Sequence, residues 1–100
     1  MILEVAILDV KTGQQALFEN DFILASKYIA SANGYLRHSL KKCIEKDNRY
    51  ILLVEWQGLE DHTIGFRQST AYEAWKKILH HYYDPFPTVE HFETVIDYKH

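Results

Sequence analysis

Tyr50-Ile51-Leu52-Leu53-Val54-Glu55-Trp56 is the most apolar run in this sequence. Its branched and aromatic residues read as a strand, and the scarcity of polar positions places that strand centrally in a sheet. Before it lies Glu45-Lys46-Asp47-Asn48, polar and turn-prone, and before that a second extended run from Tyr35 to Ile44. Tyr35–Ile44 and Arg49–Gln57 are therefore expected to form a hairpin.

Toward the N-terminus, Ile2 to Val10 reads as another strand. Leu3, Val5 and Ile7 fall on one side and Ile2, Ala6 and Leu8 on the other, so both faces should be covered. Thr12 followed three residues later by Gln15 is a capping box and predicts a helix start. Phe18, Phe22, Ala25 and Ile29 recur at helical spacing, with Leu17, Leu24 and Tyr28 widening the stripe. Asn33-Gly34 should stop that helix, Gly34 taking the left-handed conformation.

Toward the C-terminus, Leu59 to Gln68 predicts a short helix, with Glu60 and Asp61 at its positive end. Thr70 and Glu73 make a second capping box, opening a helix to about His81 with the stripe Tyr72, Trp75, Leu79 and Tyr82. Asp84-Pro85-Phe86-Pro87 cannot continue it and should be a rigid extended turn. Thr88 to Ile96 alternates as a last strand. The order β-α-β-β-α-β is a split βαβ unit. It predicts an α+β, ferredoxin-like domain over residues 1–100, core about 2–96: a four-stranded antiparallel sheet with helices on one face. Two helices cover one face only, yet the first and third strands are apolar on both. A second copy packed sheet against sheet meets that need, so a homodimer is expected.

The bulk composition narrows the function classes. One hundred residues suit one domain, able to bury roughly 60–70% of the surface its unfolded chain exposes. The net charge of −3 and the lack of any long basic block speak against nucleic-acid binding. The single Cys43 cannot form an intrachain disulfide or a cysteine metal cluster and reads as a buried thiol. The first ten residues are apolar but short, and Glu4 and Asp9 interrupt them. They lack the marks of a signal peptide or membrane span, so a cytoplasmic protein without membrane association is expected. With four Gly, no Gly-rich phosphate loop and no nucleophile elbow, neither nucleotide nor flavin cofactor is indicated.

Seven Tyr, five Phe, two Trp and six His in 100 residues stand out. The aromatics suit either a crowded core or an extra apolar surface, such as a pocket or a subunit interface, and His is the usual proton-transfer group near neutral pH. His62, at the predicted start of the short helix, would stay neutral there and able to accept a proton. Arg67 could hold an anionic oxygen, or pair with Asp61 or Glu73. His80 and His81 point about 100° apart on a helix, and His81 falls nearer the Trp75–Leu79–Tyr82 face. His91 reads as a buried or interface histidine, while His38 and His100 suggest no role. No helical His-x₃-His pair or cysteine cluster exists, so no metal is expected.

His62-Thr63-Ile64-Gly65-Phe66-Arg67-Gln68-Ser69, then Tyr72, Trp75, Leu79, His80-His81-Tyr82-Tyr83-Asp84-Pro85-Phe86-Pro87 and Val89-Glu90-His91-Phe92, resemble the antibiotic biosynthesis monooxygenase family. Lys11-Thr12-Gly13 and Asn33-Gly34-Tyr35 share in the likeness, which covers nearly the whole chain. The resemblance implies a dimeric α+β barrel with a pocket between helices and sheet in each subunit. It also implies oxidation of quinol- or anthrone-like aromatics by O₂ without metal or flavin. His62 and Arg67 are then the expected catalytic pair, and Phe22, Phe66, Tyr72, Trp75, Leu79 and His81 the expected substrate-binding residues. A haem-degrading branch uses an Asn, a Trp and a His. Ala6, Phe66 and Lys76 fall at those positions here, a departure that counts against haem degradation. A non-catalytic homodimer that binds a small hydrophobic ligand remains the alternative, since fold does not dictate function.

Overall fold

A computed structural model describes residues 1–99; His100 lies outside the described residues. The strands are β1 (Ile2–Asp9), β2 (Tyr35–Lys42), β3 (Arg49–Trp56) and β4 (Val89–Phe92), and the main helices are α1 (Gln15–Ala30) and α2 (Thr70–Leu79). A π-helical turn, Asp61–Phe66, precedes α2, and a 3₁₀ turn, His80–Tyr82, follows it. The sheet is antiparallel throughout, in the order β2-β3-β1-β4, with both helices on one face. This is the ferredoxin-like arrangement expected from the element order.

Strand alternation divides the side chains. Glu4, Ala6 and Leu8 of β1 and Tyr50, Leu52, Val54 and Trp56 of β3 are buried toward the helices. The central strand pairing Ala6↔Leu52 and Leu8↔Tyr50 sets the two rows side by side. The opposite face presents Leu3, Val5, Ile7, Ile51 and Leu53, with Phe92 of β4 half exposed next to Leu3.

Local signals account for most boundaries, with five corrections. The last strand, expected over Thr88–Ile96, spans only Val89–Phe92, because that is the stretch which pairs with β1. The residues before α1 form a turn, Gln14 N–H donating to Lys11 O at 3.0 Å, with Gly13 at φ 87°, a conformation that side-chain-bearing residues avoid. Thr12 therefore stands outside the helix and makes no capping bond; α1 begins after Gln14 without a side-chain cap. At α2 the cap is Ser69, one residue before the expected Thr70. Its Oγ accepts from Tyr72 N–H at 3.1 Å and also donates to Phe66 O at 2.6 Å, tying α2 to the π-helical turn. Within α1, Phe18, Phe22, Ala25 and Ile29 are buried as expected, but Leu17 (61% exposed) and Leu24 (64%) point to solvent. The helix meets the sheet along one narrow line, and residues seven apart at 17 and 24 lie beyond it. Cys43, finally, is only half buried, with its thiol 3.6 Å from Glu45. The helix stop follows expectation: α1 ends at Ala30, and Gly34 turns at φ 80° into β2.

Phe18 anchors the core. Fully buried, it sits at 5.0–5.9 Å between ring centroids from Phe22, Tyr50, Tyr82 and Tyr83, joining α1, β3 and the 3₁₀ turn. Tilted and edge-on ring pairs of this kind add to the area they bury. Phe18→Ala should therefore cost about 3–5 kcal/mol. Urea unfolding checks this; a loss near zero would mean that the ring cluster does not hold the helix to the sheet.

Candidate active site

A cavity of about 330 Å³ lies between the helix-covered face of the sheet and the segments after β3. Its floor is sheet: Glu4, Ala6 and Leu8 from β1, Leu52 from β3 and Val89 from β4. His62, Phe66 and Arg67 enter from the π-helical turn, and Tyr72 and Trp75 from α2. His80, Tyr83, Phe86 and Pro87 close the far side. The chain after α2 reaches that place because it pairs with the end of β1: Lys11 N–H donates to Tyr82 O, and Asp84 N–H to Asp9 O, each at 2.9 Å.

Of the eight site residues expected from the sequence, His62, Arg67, Phe66, Tyr72 and Trp75 line this cavity. Three do not. Phe22 is buried behind Trp75, edge-on at 5.4 Å, and supports the wall without forming it. Leu79 is fully enclosed in the core. His81 is exposed and lies against Tyr82. His80 takes the position expected for His81, edge-on to Phe86 at 4.9 Å and Tyr72 at 6.0 Å. The helix tightens to a 3₁₀ turn at residue 80, so the extrapolated α-helical spacing fails there. Ala6 and Phe66, two positions compared with the haem-degrading branch, line the cavity, while Lys76 lies outside it.

The residue that sequence reading passed over is Glu4. The residue is 5% exposed, and Trp56 Nε1–H donates to its Oε1 at 2.9 Å. His62 Nε2 stands 3.5 Å from the same oxygen, and His62 Nδ1 meets His91 Nε2 at 2.7 Å. Glu4 and His91 are directly paired across β1 and β4, which fixes this line of three. The available signal was a carboxylate on the strand face that also carries Ala6 and Leu8, where an uncompensated charge would be costly.

His62 is 3% exposed and stacks on Trp56 at 5.4 Å and 20°. Burial, reinforced by the charge of Arg67 and by His91, lowers its pKa to about 3. The short π-helical turn is thus secondary to desolvation in keeping this ring neutral. Its contact with Glu4 is accordingly between a neutral ring and a carboxyl group, not an ion pair. Burial pushes Glu4 above the ordinary carboxylate value, opposed by the Trp56 hydrogen bond and the Arg67 charge. Burial likewise lowers His91 and His80. Among the described residues no three of His, Cys, Asp and Glu stand as a metal site.

These shifts give stability a definite pH dependence. The unfolded chain protonates His62 near its ordinary value of about 6.5, the folded chain only near 3. The unfolded state thus binds more protons between those values, and stability falls as pH drops from about 6.5. Glu4 acts with the opposite sign, because its raised pKa makes the folded state hold the proton longer as pH rises. We expect Tm to fall on acidification below about pH 6.5 and His62→Gln to flatten that fall. Thermal unfolding across the pH series measures it; a slope identical in both proteins contradicts a neutral, desolvated His62.

Comparison with known proteins agrees with this architecture. The antibiotic biosynthesis monooxygenase family matches residues 1–78. YczJ, an uncharacterised protein of Bacillus subtilis, is 52% identical over 95 residues, spanning 95% of this chain and 100% of its own. A Bordetella bronchiseptica structure assigned to the antibiotic biosynthesis monooxygenases superposes with a TM-score of 0.90 at 32% identity, covering 95% of this chain and 97% of that one. SnoaB, a cofactor-independent oxygenase of Streptomyces nogalater, shares the fold, with a TM-score of 0.74 at 22% identity over 97% of this chain and 94% of its own. On its sequence match and its fold alike, the chain belongs to the antibiotic biosynthesis monooxygenase family.

Proposed function

We propose that the protein is a cofactor-independent monooxygenase of small, electron-rich aromatics of the quinol or anthrone type. The observation that carries this reading is the juxtaposition, in one cavity, of Arg67 with the Glu4–His62 contact, between the aromatic walls of Phe66, Tyr72 and Trp75. Aromatic walls select a flat apolar ring. The substrate's proton passes into the Glu4–His62–His91 line, and Arg67 steadies the oxyanion left behind. The anion is electron-rich enough to react directly with O₂. One oxygen atom enters the product and the other leaves as water, both hydrogens of that water coming from the substrate, so no external reductant is needed. The protein supplies orientation, exclusion of water and charge stabilisation.

Oxygen uptake by metal-stripped protein, with a panel of quinols and anthrones and a heat-denatured control, tests this. Saturable, protein-dependent uptake with an oxygenated product is expected. In Arg67→Gln, kcat/KM should fall about 100-fold, a loss typical of removing one oxyanion donor. Uptake never exceeding autoxidation across the panel would favour a binding protein built on the same pocket.

We further propose that a second copy of the chain closes the open sheet face. Leu3, Val5, Ile7, Ile51, Leu53 and Phe92 have no helix over them, and another copy of the same face would cover them. Light scattering at micromolar concentration should give twice the chain mass of 11.8 kDa. A mass of one chain rejects the homodimer.

A further inference from the structure

Glu4 has an unused oxygen. Oε1 accepts from Trp56 Nε1–H and faces His62 Nε2, while among the described residues no donor bonds Oε2. No fully enclosed side-chain nitrogen or oxygen among those residues lacks a partner, so Oε2 keeps some open surface, and Glu4 is part of the cavity lining. The carboxylate is thus held through one atom and presented through the other. Trp56 fixes it from β3, His91 lies across from it on β4, and His62 and Arg67 face it from the segment after β3.

His62 is the less suitable first acceptor. Its Nδ1 is engaged by His91 at 2.7 Å, its Nε2 is turned toward Glu4, and desolvation opposes any positive charge on the ring. A buried carboxylate gains from the opposite change, since taking a proton removes its charge. Arg67 lines the same cavity and supplies the cation that a new oxyanion requires.

We propose that Glu4 is the base of this site, Oε2 receiving the hydroxyl proton of a phenolic ligand whose oxyanion then rests against Arg67. The ligand's O–H bond breaks, an O–H bond forms on Oε2, and the electron pair stays on the ligand oxygen. No oxidant takes part in this step. His62 is then a positioning residue, packed between Trp56 and Glu4. The inference rests on the aromatic-pocket reading above, yet it can be tested without turnover.

The probe is 4-nitrophenol, whose phenolate is visible by absorbance, at a pH where it is wholly ionised. Binding this anion beside Glu4 requires the carboxylate to take up a proton. Isothermal titration calorimetry in buffers of different ionisation enthalpy should therefore show uptake of about one proton per site by the wild-type protein. Glu4→Gln, which can still accept from Trp56, should bind the probe with no uptake. Equal uptake by both proteins would falsify the assignment. Binding without uptake by the wild-type protein also overturns it, with no variant required. Failure of the wild-type protein to bind at millimolar probe removes the pocket reading and the base together. Proton-linked binding without oxygen consumption on any substrate keeps Glu4 as the acceptor and rejects only the oxygenase.

Discussion

Trp56 Nε1–H donates to Glu4 Oε1 at 2.9 Å, and much of the cavity's arrangement depends on that bond. Glu4 is a buried residue, 5% exposed, and its carboxyl needs a donor, since leaving a buried polar group unpaired costs about 1–3 kcal/mol. Trp56 can serve because the β1–β3 register places both side chains on the helix-covered face, Glu4 beside Val54 and Trp56 one step along. The same indole is the surface on which His62 stacks. One residue therefore orients both the carboxyl and the imidazole that contact each other in the cavity wall.

The segment after β3 converts this strand geometry into a site. In a π-helical turn each N–H reaches five residues back; here Arg67 N–H donates to His62 O at 3.1 Å. That wider turn lets His62 and Phe66 both face inward and leaves Arg67 at its end, also on the cavity. Ser69 then closes the segment with its two hydrogen bonds and sets where α2 begins, and so where Tyr72 and Trp75 stand. Widened helical turns of this sort are frequent at functional sites, because they re-aim side chains without breaking the chain's hydrogen bonding.

Electrostatics and aromatic packing act together here. The Phe66 ring meets those of Trp56, Tyr72 and Trp75 at centroid distances of 5.4–6.0 Å. Phe66, Tyr72 and Trp75 wall a cavity that is also lined by the buried carboxyl of Glu4 and by Arg67, which is exposed. Burial is what moves Glu4 upward and His62 and His91 downward, with Arg67 pulling in the direction of fewer protons on all three. The conditions that make a buried charge costly also make proton transfer from a bound hydroxyl sensitive to small changes in position.

The element order, the central place of Tyr50–Trp56, the buried stripe of α1 and the two-faced character of β1 were all legible in the sequence, because strands and helices impose periods of two and 3.6 on their apolar residues. Residues inside one short segment were legible too: His62, Phe66 and Arg67 do share a wall, as do Tyr72 and Trp75. The choice between His80 and His81 was not, since it turned on a local change to 3₁₀ geometry. Nor was the meeting of Glu4, His62 and His91, which lie on three separate elements. Periodicity says which face a side chain takes, but only strand register and the path of a turn say which side chains from distant segments touch, and it is that contact which made Glu4 part of the site.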